Sequence, residues 1–338
     1  MRVGEVSETD LLARIFPRLP HYAGTLVGPG DDAAVLAPTG EAIVVTTDVL
    51  VQDRHFRPGW GTGTDLGWRA AMQNLADVAA MGAVPTTIVV ALVLPPQVPV
   101  SWVEELADGF AQACAPHQVG VVGGDLTSGD RLVVAVTAHG VMADGEAVLR
   151  SGARPGDVLA VSGVLGRARA GLAVLEQGGS EPAELIEAFL RPTPPLADGP
   201  AAVRAGVHAL MDVSDGLVRD ATRMARASGV VLDLDPDALN ADVAALADSA
   251  ARTGSDPLTW VLGGGEDHGL LAAFPEEARS GVGTHAPAAA PSSSSLPGRF
   301  RPIGRVLPVP AGAEPQVRWG GQDLPAGVGG WDHFSPGA

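Results

Sequence analysis

Twice along this chain, short runs rich in Val, Ile and Thr alternate with longer segments of helical pattern, and the composition breaks once between the two series. In the first series residues 42–47, 87–94, 119–122 and 132–138 read as strands, and 65–81 and 100–115 as helices. Asp65 is placed to cap the first helix, and Gly82 stands where a C-terminal glycine belongs. At 143–157 the pairs Asp-Gly and Ser-Gly and the run Arg-Pro-Gly-Asp crowd together, which puts a boundary near residue 148. Beyond it, Val158–Ser162, 208–213, 268–274 and 300–306 read as strands, and 165–175, 181–190, 196–205 and 216–227 as helices. A chain of 338 residues is long for one core. The pattern predicts an α/β protein with mixed sheets and two domains, 1–148 and 149–338. Residues 281–298, dominated by Ala, Pro, Ser and Gly, read as a mobile surface insertion in the second.

The aspartates fall in a pattern. Asp31 and Asp32 follow Gly28-Pro-Gly; Asp48 ends the run Ile43-Val-Val-Thr-Thr; Asp125 ends Val121-Val-Gly-Gly; Asp212 and Asp215 close the run before Gly216. One such pair is more readily a turn. Several, each after a β-rich run, are placed to gather at one sheet edge, where α/β proteins bind ligands. Carboxylates there suit magnesium, a hard cation that bridges a few carboxylates to substrate phosphates. Asp77 is a separate clue. On a helix it shares a stripe with Leu66, Ala70, Asn74 and Met81, so it faces apolar surroundings unless a cation meets it. A carboxylate bonded to Asn74 beside a solvent gap is the plainer alternative; a metal ligand is preferred.

There is no lysine: all 22 basic residues are arginine. A P-loop lysine, a protein-kinase strand lysine and a Schiff base are thereby excluded. A phosphate-handling chain of this composition must use metal ions, arginine, backbone N–H groups and helix N-termini. The net charge of −17 repels nucleic acid and anionic membranes, and no basic patch offsets it. No apolar run approaches a membrane span, no signal-peptide pattern opens the chain, and the lone Cys114 makes no internal disulfide, so a cytoplasmic location is expected.

The weaker signals are local. Gly123-Gly124-Asp125 and Gly263-Gly-Gly-Glu-Asp267 allow backbone to approach phosphate closely. Arg150 stands at the boundary, where it either contacts a phosphate or is a solvated linker arginine. His55 contacts an anion or is structural. Trp331 stacks on a ring or anchors the chain end.

Taken as a set, these motifs resemble the thiamine-monophosphate kinase family. The resemblance runs from Gly28-Pro-Gly-Asp-Asp-Ala-Ala-Val35 through Thr46-Thr-Asp-Val-Leu-Val51, His55-Phe56, Asn74-Leu-Ala-Asp-Val-Ala-Ala-Met-Gly-Ala83 and Gly123-Gly-Asp-Leu-Thr127. It continues with Arg150-Ser-Gly-Ala-Arg-Pro-Gly-Asp157, Asp212-Val-Ser-Asp-Gly-Leu217, Gly264-Gly-Glu-Asp267 and Gly330-Trp-Asp-His-Phe334. It implies the two-domain fold of aminoimidazole ribonucleotide synthetase, a homodimer made by the N-terminal domains, and an active site in the interdomain cleft. The substrates would be ATP and thiamine monophosphate, with several magnesium ions. Carried over residue by residue, Asp32, Thr46, Thr47, Asp48, Asp77, Asp125, Asp212 and Asp215 are implied magnesium ligands. Gly124, Asp125, Arg150 and Ser214 are implied ATP contacts, and His55, Glu266 and Trp331 implied contacts to thiamine monophosphate. Three features depart from the family's pattern: His268-Gly269 where Tyr-Glu is usual, Ala76 where a serine is usual, and the low-complexity insertion.

The chemistry agrees with the resemblance. A phosphate monoester is largely ionised at neutral pH, so its oxygen needs no strong general base. The obstacle is repulsion between two polyanions, which metal ions held by carboxylates relieve while aligning the partners for direct in-line transfer. Selenophosphate synthetase shares the fold but needs a reactive Cys or selenocysteine and a Lys near its N-terminus, and neither is present. The hydrogenase-maturation relative needs a C-terminal catalytic cysteine, where this sequence has Ser335-Pro-Gly-Ala338. An aminoimidazole ribonucleotide synthetase-like enzyme and a non-catalytic nucleotide or cation sensor are the remaining alternatives.

Overall fold

The computed structural model describes residues 1–5, 8–27, 35–37, 42–142, 146–279 and 296–330. Asp32, Trp331 and residues 281–295 of the insertion lie outside them. The chain divides into two compact units, Met1–Val78 with Val84–Ala143, and Ala79–Ala83 with Asp144–Ala338.

The first unit contains α1 (Glu8–Ile15), β1 (Thr25–Val27), β2 (Val35–Leu36), β3 (Ile43–Val51), α2 (Gly63–Ala80), β4 (Val84–Leu94), α3 (Val100–Cys114), β5 (Gly120–Ser128) and β6 (Val133–Val141). Four strands form one sheet in the order β3-β6-β4-β5, antiparallel except for the parallel pair β4–β5. A threonine-aspartate box starts α2: the Thr62 N–H donates to Asp65 Oδ2 at 2.8 Å, and the Asp65 N–H to Thr62 Oγ1 at 3.3 Å. Gly67 lets α2 lie against α3, since a Cβ there would meet the Leu106 carbonyl oxygen at 2.2 Å.

One face of this sheet is buried. Val134, Val136 and Ala138 are at most 1% exposed, and a Cβ at Gly140 would strike Val78 of α2. The other face is open: Ile43, Val45 and Val49 on β3 are 64%, 58% and 45% exposed. The strand-rich runs thus carry apolar residues on both faces, while α2 covers only one.

The second unit contains β7 (Val158–Ser162), α4 (Arg167–Glu176), α5 (Ala183–Leu190), α6 (Asp198–Arg204), β8 (Ala209–Val213), α7 (Leu217–Ser228), β9 (Val230–Leu234), α8 (Pro236–Thr253), α9 (Pro257–Gly263), β10 (Gly269–Phe274), α10 (Glu276–Arg279), β11 (Arg301–Pro308) and β12 (Gln316–Trp319). Its six strands run β12-β9-β11-β7-β10-β8, all antiparallel except β12 beside β9. Both faces are buried. Leu159, Val161, Met211, Leu271 and Ala273 join one core with α7, α8 and α9. Val158, Ala160, Leu210, Leu270 and Phe274 join the other with Leu296 and Phe300. Burial on both sides explains why β7 and β10 read as continuous apolar runs rather than alternating ones.

Two placements differ from the sequence reading. Asp48 and Asp125 do not end their strands: β3 continues to Val51 and β5 to Ser128. Asp is a poor strand former, so the runs read as finished at the carboxylates, but pairing along an adjacent strand carries both through. The insertion also stops earlier than residue 298, because Leu296 is 4% exposed within the core.

Candidate functional site

On the helix side of the N-terminal sheet, Thr46 Oγ1 donates to Asp77 Oδ2 at 2.8 Å, joining β3 to α2. Asp48, two residues along β3, points to the same side. Asn74 does point inward from α2, fully buried, but its Nδ2 donates to the Ala70 carbonyl at 2.9 Å and its Oδ1 has no hydrogen-bond partner.

Thr47 faces the opposite way. Its Oγ1 donates to the Val136 carbonyl at 2.9 Å and accepts from Thr137 at 3.2 Å. The register places Asp125 on this open side too: Val49, Ala135, Ala91 and Asp125 form one row across the sheet, and Asp48, Val136, Val90 and Gly124 the next. Asp48 and Asp125 are therefore on opposite faces and opposite edge strands. Gly124 has a packing reason to be glycine, because a Cβ would meet the Val90 carbonyl oxygen at 2.0 Å; Gly123 meets open space.

His55 sits on a tight turn after β3. Its Nδ1 accepts from the Val51 N–H at 3.0 Å, and its own N–H donates to the Val51 carbonyl at 2.9 Å. Arg69 Nη1 donates to the His55 carbonyl at 3.0 Å.

In the C-terminal unit Glu266 and His268, on either side of Asp267, are held in left-handed backbone, with φ of +73° and +52°. The Glu266 N–H donates to the Ser214 carbonyl at 2.8 Å and the His268 N–H to the Val213 carbonyl at 3.1 Å. Gly265 permits this approach, since a Cβ would meet the Ser214 oxygen at 2.3 Å. His268 lies 3.8 Å from Asp212 Oδ2 and 3.6 Å from Glu266 Oε2, at ion-pair rather than hydrogen-bond distance. Burial opposes its charged form, but the two carboxylates outweigh that and raise the imidazole to about 10. Asp212 Oδ2 is buried without a hydrogen-bond partner.

Asp215 is already engaged, accepting from Arg223 Nη2 at 2.6 Å with Arg219 at 3.7 Å. Arg223 Nη1 also donates to Asp220 Oδ1 at 2.6 Å. Asp220 is wholly buried, and burial, with the charge of Asp212 behind it, raises its carboxyl to about 7. Arg150 is exposed, and its carbonyl accepts from Ser228 Oγ at 2.9 Å. Among the described residues, no three His, Cys, Asp or Glu side chains converge closely enough to hold a metal ion. The structure thus brings Thr46, Asp48 and Asp77 to one side of the N-terminal unit, and Asp212 and Glu266 around His268 in the C-terminal unit. Thr47 and Asp125 stand apart from the first group.

The sequence reading missed Arg69, Asp220, Arg223 and the role of Asp267. Asp267 caps α4, accepting from the N–H groups of Gly166 and Ala168, the latter at 2.8 Å. A carboxylate directly after Gly263-Gly-Gly-Glu reads as a ligand group, and nothing local shows that it reaches a helix about a hundred residues earlier. Asp220 and Arg223, at i and i+3 on α7, were legible as a pair.

Residues 30–142 match the N-terminal domain model of AIR synthase related proteins, and 154–283 match the C-terminal one. The fold and the paired domains define an AIR synthase-related protein. A thiamine-monophosphate kinase of Mycobacterium tuberculosis is 44% identical over 334 residues, covering 98% of this chain and 92% of that one. The crystal structure of thiamine-monophosphate kinase from Stenotrophomonas maltophilia is 34% identical, with a TM-score of 0.76 over 96% of this chain and 99% of that one. A structure of AaThiL complexed with AMPPCP and TMP is 31% identical, with a TM-score of 0.72 over 99% of both chains. This chain belongs to the thiamine-monophosphate kinase family.

Proposed function

We propose that this chain transfers the γ-phosphoryl group of ATP directly to thiamine monophosphate, producing thiamine diphosphate. The observation that carries this is the full-length similarity to a relative solved with AMPPCP and TMP.

The donor set fits magnesium. It is made of carboxylates and threonine hydroxyls, all hard oxygen, and it includes the orphaned buried Asp212 Oδ2. Asp32, Thr46, Thr47, Asp48, Asp77, Asp125, Asp212 and Asp215 are the residues that would hold it, with Asp215 entering only as its Arg223 contact loosens. Bound there, magnesium would offset the negative charge of the phosphates. Gly124, Asp125, Arg150 and Ser214 would contact ATP; His55, Glu266 and Trp331 would contact thiamine monophosphate. The acceptor phosphate is ionised near neutral pH, so the side chains orient the two substrates and abstract no proton. No phosphoenzyme is required.

The open face of β3, β6 and β4 supports a homodimer. Its exposed Ile43, Val45 and Val49 would be covered by the same face of a second copy. The enzyme would act in the cytoplasm: the only cysteine, Cys114, is buried and unpaired, and no helix among the described residues is long and apolar enough to cross a membrane.

The test is magnesium-dependent conversion of thiamine monophosphate to the diphosphate with stoichiometric ADP release. ATP turnover that does not depend on thiamine monophosphate would point to the aminoimidazole ribonucleotide synthetase-like alternative. Nucleotide binding without turnover would point to a sensor.

A further inference from the structure

Arg69 is charged at every working pH, yet it is only 2% exposed on α2. Burying a guanidinium is costly unless its donors are used. One use is visible: Nη1 donates to the main-chain carbonyl of His55 at 3.0 Å, fourteen residues earlier.

The turn that receives this bond is closely built. Gln52 N–H donates to the Leu132 carbonyl at 2.9 Å, and Leu132 N–H returns to Gln52 Oε1 at 3.2 Å. Asp53, at φ +65°, donates its N–H to the Phe56 carbonyl at 2.8 Å, and Phe56 is buried. Within that frame the His55 N–H and carbonyl are both committed, to Val51 and to Arg69. The ring is fixed as well. Val51 N–H donates to Nδ1 at 3.0 Å, so Nδ1 is an acceptor and the neutral imidazole carries its proton on Nε2. A neutral ring that donates through Nε2 favours an anionic oxygen and needs no charge of its own.

We propose that Arg69 is a positioning residue for the acceptor substrate: it locks the 51–56 turn so that His55 presents Nε2–H as a donor to the phosphate monoester of thiamine monophosphate. This rests on His55 touching that substrate, as set out above. In this role Arg69 acts through His55 and touches neither substrate.

The experiment compares wild type, Arg69→Met, Arg69→Lys and His55→Ala in steady-state kinetics with each substrate varied in turn. Methionine keeps much of the buried stem and removes the donors; lysine keeps a charge and a donor. Loss of one positioning hydrogen bond is expected to raise KM for thiamine monophosphate about tenfold in Arg69→Met, with kcat and KM for ATP near wild type. Arg69→Lys should fall between. The ring nitrogens of His55, followed by 15N NMR, should show the Nε2–H form in wild type and a mixture of both neutral forms in Arg69→Met. A KM for thiamine monophosphate that stays at the wild-type value in Arg69→Met overturns the proposal. So does a fall in kcat that merely follows loss of folded protein, with both KM values unchanged. If His55→Ala leaves KM for thiamine monophosphate unchanged, the substrate role of His55 itself fails, whatever Arg69→Met does. Should Arg69→Met not fold, Arg69→Lys carries both readouts.

Discussion

Asp48 and Asp125 lie on opposite edge strands and opposite faces of one four-stranded sheet. Three strand spacings separate the edges, roughly 14 Å. If both carboxylates serve one metal-nucleotide site, a second copy must supply one of them. Asp48→Asn and Asp125→Asn should each be nearly inactive alone. Mixed and allowed to exchange subunits, they should regain about a quarter of wild-type activity, because half the dimers are mixed and each of those has one intact site. A mixture that stays inactive while mass spectrometry shows mixed dimers would place both aspartates in the same copy's site or in none.

The same sheet gives a test of assembly. Val45 is 58% exposed on the open face, on the edge strand β3 between Ile43 and Thr47. Val45→Asp puts a charge there at little expense to the monomer. Light scattering should show a dimer for wild type at micromolar concentration and a monomer for the variant. A monomeric wild type would leave the open apolar face without its proposed cover.

The insertion can be shortened only within limits. Leu296 packs beside Phe300, which meets Phe274 edge-on at 5.1 Å. The Arg299 N–H donates to Asp198 Oδ2 at 3.3 Å, and Gly298 packs against the same aspartate. Removing about ten residues between 282 and 293 should leave melting temperature and turnover near wild type. Leu296→Ala should cost about 2–4 kcal/mol in chemical denaturation. A deletion as damaging as Leu296→Ala would mean that the inserted residues also pack on the core.

Much of this was legible in the sequence because local chemistry and tertiary packing agreed. The strand Val158–Ser162 is legible because, buried on both faces, it is apolar at every position but its last. The helices α8 and α9 were missed, although Asp235-Pro236 and Asp256-Pro257 announce both: each aspartate accepts from the N–H two residues on, and each proline occupies the first helical position. Residues Thr46, Asp48 and Asp77 were selected as site residues, and one contact joins two of them. What the sequence hid was the face each residue takes. Thr47 and Asp48 are neighbours, yet alternation sends them to opposite sides of the sheet. The bond from Arg69 to the His55 carbonyl was equally hidden, because a main-chain acceptor leaves no mark on side-chain identity.

A pH dependence follows from Asp267. Burial raises its carboxyl to about 7, although the N–H groups of Gly166 and Ala168 pull the other way. Its ordinary value is 3.8. The folded state thus holds this proton more tightly than the unfolded chain. The resulting stability is fully present below 3.8 and is lost as pH rises through about 7. His268 moves in the same direction: its contribution is full below 6.5 and falls as pH rises to about 10, in wild type and Asp267→Asn alike. Between about pH 5.5 and 8, the wild type should therefore lose more stability than Asp267→Asn, by about 2 kcal/mol. Asparagine keeps an acceptor for one of the two amides, so the helix cap is weakened rather than abolished. Parallel pH slopes in thermal denaturation would show that Asp267 stays ionised across this window.

Asp77 gives the most direct test of the metal site. Its carboxylate is half-buried on α2, accepts from Thr46 Oγ1 at 2.8 Å, and shares its side of the sheet with Asp48. Without a cation, two carboxylates on one side repel, and their ionised state costs stability. Asp77→Asn keeps an oxygen acceptor for Thr46, removes a negative charge and removes a hard oxygen ligand. The variant should melt no lower than wild type in the absence of divalent ions. Magnesium should raise the melting temperature of wild type by more than that of the variant, because an ion that binds only the folded state stabilises it. Turnover should fall by about a hundredfold or more. If Asp77 serves only to receive the Thr46 hydroxyl, the opposite pattern holds: a small loss of stability, an equal response to magnesium and near-normal turnover. Melting curves with and without magnesium, beside the rate of ADP release, separate the two, and near-normal turnover in Asp77→Asn would remove Asp77 from the metal site.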